Sequence, residues 1–144
     1  MSDHLQHSTL TPRGQPLPKT VRGKTRADER DARVAADARD YREVCRLVDL
    51  RDHHHCRACG RRVTPGAVNG TARAEHHHLT KRSQGGQHTT CNLLLLCTRC
   101  HEDIHVRAVL ALSGDADARD ERGRMAGVRV ERLREHGWEV AGWV

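Results

Sequence analysis

Cys56-Arg57-Ala58-Cys59 and Cys97-Thr98-Arg99-Cys100 are two pairs of thiols, each with two residues between its members. That spacing lets a tight turn present both sulfurs to one ion, and two such turns complete the thiolate tetrahedron that Zn2+ accepts. A site closed by four cysteines holds a fold and leaves no position for substrate, so Cys56, Cys59, Cys97 and Cys100 are expected to bind a structural Zn2+. Directly after the second pair, His101 and His105 stand four apart, where both imidazoles project from one face of a helix and can share a cation. The zinc turn pins the start of that helix opposite a strand carrying His76, His77 and His78, so a third histidine can approach the same ion. Three protein ligands with open positions describe a catalytic rather than a structural metal site.

Other candidates are weighed against this pair of sites. With four cysteines completing the tetrahedron, His53, His54 and His55 read as solvent- or phosphate-facing. Cys45 falls on an apolar helical stripe and reads as a small buried hydrophobe; Cys91 lies outside both pairs and is expected to be packed. Lys81, Arg82, Arg99 and Arg107 flank the histidines and together make the cleft electropositive, suited to DNA phosphates.

The elements that must position these groups follow from local pattern. Residues 1–26 are polar, hold three of the four prolines, and carry Arg13, Lys19, Arg22, Lys24 and Arg26, which predicts a disordered basic arm. Residues 27–52 place Val34, Ala38, Tyr41, Cys45 and Val48 on one face, widened by Val44 and Leu47, which predicts a helix covering the zinc module. Residues 53–112 form the expected metal-bearing domain. Within it Thr71 to His77 reads as a strand and Leu93 to Leu96 as a second, buried one, with a Gly85-Gly86 surface loop between them. Thr98 to Leu112 reads as a helix ended by Ser113-Gly114. Residues 113–144 form an extension in which Val128, Val130 and Leu133 suggest a short helix stopped by Gly137, and Trp138 to Val144 a terminal strand. Trp138 and Trp143 are expected to patch the small core, with exposed DNA stacking as the alternative. The fold class is α+β.

Composition bounds the rest. A chain of 144 residues with no Phe, two Trp, one Tyr and 36% hydrophobic residues has little with which to build a large core, and a structural metal is one of the usual staples. The N-terminus lacks an apolar signal segment and no run is long enough to span a bilayer, so a cytoplasmic setting with reduced thiols and no membrane partner is expected. A formal charge of +6 favours a polyanionic partner.

Glu75-x-His77-His78-Leu79, the Ser83-Gln84-Gly85-Gly86 loop, Asn92, and Cys97-x-x-Cys100-His101-x-x-x-His105 stand in an order that resembles the HNH endonuclease family in its four-cysteine zinc-containing form. The resemblance runs from about Cys56 to Val106. It implies a treble-clef-like ββα-metal module and cleavage of DNA phosphodiesters, leaving 5′-phosphate and 3′-hydroxyl ends. By position it implies that His77 is a ligand of the catalytic cation, His78 the general base, Asn92 the residue that ties the loop and orients the base, and His101 and His105 the remaining ligands. Three histidines stand where the family needs two, so His76 with His77 is an alternative register; Glu75 before and Leu79 after favour His77 with His78. The implied cation is Mg2+ or Mn2+, although imidazole ligands also suit Ni2+ or Zn2+, and no small-molecule cofactor is implied. The rival readings are a non-catalytic zinc-stabilised DNA-binding module and a metal-buffering protein.

Overall fold

The computed structural model describes residues 24–66 and 72–144. All but the last three residues of the expected basic arm, and Thr71 at the start of the expected first strand, lie outside them. Helix α1 spans Arg26–Arg51. Thr25 caps it through a reciprocal box: its hydroxyl accepts from the Asp28 N–H while the Asp28 carboxylate accepts from the Thr25 N–H at 2.7 Å. Only the C-terminal half of its apolar stripe is used. Val48 is fully buried and Tyr41, Val44 and Cys45 pack against the core; Val34 is exposed because the first turns of the helix extend beyond the module, and Leu47 stays exposed at the edge of the packed face.

Strands β1 (Ala74–His78) and β2 (Leu93–Cys97) pair antiparallel, with His77 opposite Leu94 and His78 opposite Leu93. All four leucines of β2 are 0% exposed, since α1 and the rest of the chain cover both faces of this strand. Each buried leucine contributes roughly 1.5–3 kcal/mol, which makes β2 the centre of a core otherwise short of large side chains. Helix α2 (Thr98–His105) leaves directly from β2.

The chain after α2 differs from expectation. Helix α2 stops at His105 instead of running to Leu112: Ala108 takes a positive φ of 51°, a conformation that ends helical hydrogen bonding, and β3 (Leu110–Gly114) follows. The expected helix around Val128 and Val130 is instead β4 (Val128–Arg134), whose alternation of buried valine with arginine is the strand period. With β5 (Gly137–Trp143), the strand expected at the terminus, these form an antiparallel sheet in the order β3-β4-β5. Leu110 and Val130 join the core around β2, while Ala116 and Val128 enclose Leu94. Trp138 and Trp143 do not patch this core. They lie 50% and 60% exposed, paired across the sheet with Leu133 and Arg129 on the outer face.

A buried ion network fastens α1 to the rest. Asp52, whose side chain is wholly buried, accepts from Arg51 at 2.7 and 2.9 Å, from Arg57 at 2.9 Å and from the Leu95 N–H at 3.0 Å. Arg51 in turn donates to the carbonyls of Thr90 and Leu93 and to Asp117. No helix among the described residues is long and apolar enough to cross a membrane.

Candidate metal centres and active site

The first thiol pair sits on a turn closed by the Gly60 N–H on the Cys56 carbonyl at 2.7 Å, with Gly60 at φ +72°, where a side chain would be strained. The Arg57 N–H on the Leu95 carbonyl docks that turn against β2. Cys97 ends β2 and Cys100 lies in the first turn of α2, so β2 carries the second pair to the first. One ligand atom from each of Cys56, Cys59, Cys97 and Cys100 lies within 4.8 Å of the others. A hydrogen bond with Cys100 and the backbone N–H groups of Cys97, Ala58 and Cys59 hold the Cys56 thiol down, toward the thiolate form a metal takes. The donor set and its convergence suit Zn2+. Cys45 packs against the core; Cys91 lies outside the cluster but is exposed, not packed. His53 and His55 are exposed and His54 half-buried; none joins a metal cluster.

The second cluster comprises His77, His101 and His105, again with ligand atoms within 4.8 Å. Strand alternation sends His77 toward α2, where its Nδ1 lies 3.2 Å from His105 Nε2. Burial and the neighbouring His105 and His101 push the His77 imidazole down to about 4, and burial with His105 lowers His101. Both therefore stay neutral with a lone pair to offer, and nitrogen lone pairs converging at this distance suit a shared cation. His76 points the other way and binds Asp49 of α1 at 2.8 Å. Of the three consecutive histidines, His77 is the one brought to His101 and His105.

His78, also on the α1 side of the strand, lies at its end, where it lines a cleft of 180 Å³ with His76, His77, His101, His105, Lys81 and Arg82. Its Nε2 is 3.0 Å from His88 Nδ1, and its ring stacks on Tyr41 at 5.9 Å. Asn92 ties the intervening loop: its Oδ1 accepts the Thr80 N–H at 2.8 Å, and its amide donates to the carbonyls of Thr80 and Gln87. Gly86 is required here, because a Cβ would fall 1.9 Å from the Thr80 carbonyl oxygen. Arg82 reaches back to Asp37 and the Gly86 carbonyl. Arg107 is instead paired with Asp103 and Glu102, and Arg99 lies beside the cysteines near Asp103 and Arg132, so neither lines the histidine cleft.

Cys56 to Arg107 match the HNH endonuclease family. That stretch is thus similar to an HNH domain. A 50-residue stretch is also 36% identical to the type IV methyl-directed restriction enzyme EcoKMcrA of Escherichia coli strain K12, covering 35% of this chain and 18% of that protein. The chain thus spans under a fifth of that relative's length. The matched stretch takes in both candidate metal clusters, β1, β2 and α2. Helix α1 lies outside it, and so do Asp37, Tyr41 and Asp52. Sequence reasoning missed these three, and His88, as contributors to the site. Tyr41, Cys45 and Val48 at helical spacing signalled that α1 packs, but nothing in the spacing signalled that its polar residues reach the histidines.

Proposed function

We propose that this chain is a metal-dependent HNH endonuclease that nicks DNA, with His78 as general base. One observation carries the reading: His77, His101 and His105 converge at a cleft that also presents His78, Lys81 and Arg82. His78 removes a proton from water, whose oxygen attacks phosphorus in line as the bond to the 3′ oxygen breaks. The products are 5′-phosphate and 3′-hydroxyl ends. His77, His101 and His105 hold the cation, Mg2+ or Mn2+ with Ni2+ or Zn2+ as softer alternatives; when bound it supplies Lewis-acid stabilisation of the phosphate charge and the departing oxygen. Asn92 fixes the loop that walls the cleft, and Lys81 and Arg82 bring a phosphate to it. The four cysteines hold the fold through a structural Zn2+. The restriction activity in the relative's name supports DNA as the substrate.

The test is relaxation of supercoiled plasmid by wild type and His78→Ala, each with Mg2+, Mn2+ and EDTA. Metal-dependent nicking, lost in EDTA and reduced at least about 100-fold in the variant, is the expected result. DNA binding by both proteins with no cutting under any metal would favour a non-catalytic module.

A further inference from the structure

The matched stretch supplies His78 and His88, but the other groups that hold the His78 ring come from α1. His88 Nδ1 lies 3.0 Å from His78 Nε2, and the far side of the His88 ring, Nε2, is 3.4 Å from Asp37 Oδ2. Arg82 occupies the other oxygen of that carboxylate at 3.0 Å. Tyr41, one helical turn after Asp37, closes the arrangement from the side. Its ring lies nearly parallel to His78 at 12° and 4.8 Å from His88. His88 is itself well enclosed, its side chain 12% exposed.

Hydrogen-bond complementarity then sets the protons. A carboxylate paired with arginine only accepts, so the proton of a neutral His88 sits on Nε2, toward Asp37. Nδ1 of His88 is left as an acceptor, and the proton between the two rings belongs to Nε2 of His78. The lone pair of His78 is therefore on Nδ1, free to take a proton from water. Without His88 the ring could adopt the other tautomer, with Nδ1 protonated and unable to act. His76 cannot substitute, because its Nε2 is engaged by Asp49.

We propose that His88, aligned by Asp37 of α1, is a positioning residue that locks His78 in the tautomer and orientation required of a base. This rests on the assignment of His78 as general base made above. The test uses the full chain loaded with zinc. Single-turnover plasmid nicking is compared for wild type, His78→Ala, His88→Ala, His88→Asn and Asp37→Asn, and long-range proton–nitrogen NMR of the histidine rings in the presence of Mg2+ reads the tautomer directly.

His88→Ala and Asp37→Asn are expected to lower the single-turnover rate constant by about 10- to 100-fold, part of the contribution a general base makes, with the enzyme concentration for half-maximal rate within about twofold of wild type. His88→Asn, whose side-chain oxygen can accept from His78 Nε2–H where Nδ1 did, is expected to restore most of the rate. The NMR spectrum is expected to show His78 protonated on Nε2 in wild type and as a mixture in His88→Ala. A fully active His88→Ala beside an inactive His78→Ala, or a His78 tautomer unchanged by His88→Ala, would overturn this inference and leave the nuclease reading standing. A wild type with no metal-dependent nicking would overturn the nuclease reading and this inference with it.

Discussion

His77, His101 and His105 differ in what surrounds them, and that difference decides which substitution is informative. His77 is buried at the junction of β1 and α2, so truncating it disturbs packing as well as ligation. His101 is half-buried on a helix face. His101→Ala is accordingly expected to weaken Mn2+ binding at least about 10-fold, by calorimetry, while the melting temperature of the zinc-loaded protein moves by less than about 4 °C. Much of the residue scale was legible in the sequence. Two Cys-x-x-Cys pairs and a His-x-x-x-His are local patterns whose geometry follows from one turn or one helical repeat. His88 was not legible, because its meaning depends on Asp37, fifty-one positions earlier in the chain, and on a contact that no local period encodes.

Asp52 shows the same limit at the scale of elements. It reads as the residue after a helix, yet it joins the end of α1, the first zinc turn and β2 through a single carboxylate. Asp52→Ala would leave Arg57 as a buried charge without its carboxylate partner and Arg51 with Asp117 alone, and a loss of about 3–5 kcal/mol in urea unfolding is expected. Asp117 makes the adjoining link. Burial alone would raise its carboxyl, but hydrogen bonds from Thr90 and Arg51 outweigh that and hold it below its ordinary 3.8. A depressed carboxylate stabilises the fold above its unfolded value, and the contribution disappears as pH falls through the folded one. Wild type should therefore exceed Asp117→Asn in thermal stability near neutrality, and the two melting curves should converge in acid below the ordinary aspartate range. The elements that were misread, β3 and β4, share a cause. Ala108, Ala111 and Leu112 continue the spacing of α2, and Val128, Val130 and Leu133 fit both periods, so only the positive φ at Ala108 and the pairing partners distinguish strand from helix.

For the molecule as a whole, stability rests on one leucine-lined strand and two thiol turns. Removing the cysteine-bound ion with a strong chelator is expected to abolish the cooperative thermal transition, followed by near-ultraviolet circular dichroism, and re-addition of Zn2+ to restore it. EDTA at concentrations that stop nicking is expected to leave that transition in place if the closed tetrahedron exchanges slowly, so the two metal populations should separate in an atomic-emission assay. A different division runs across the two faces of β1. His77 turns toward α2 and the proposed cation site, His78 toward α1 and the contacts of its ring. A strand that faces two ways makes the motif a poor cassette: grafted into another host, residues 56–107 would bring His77, His101 and His105 together and leave His78 without Asp37 and Tyr41.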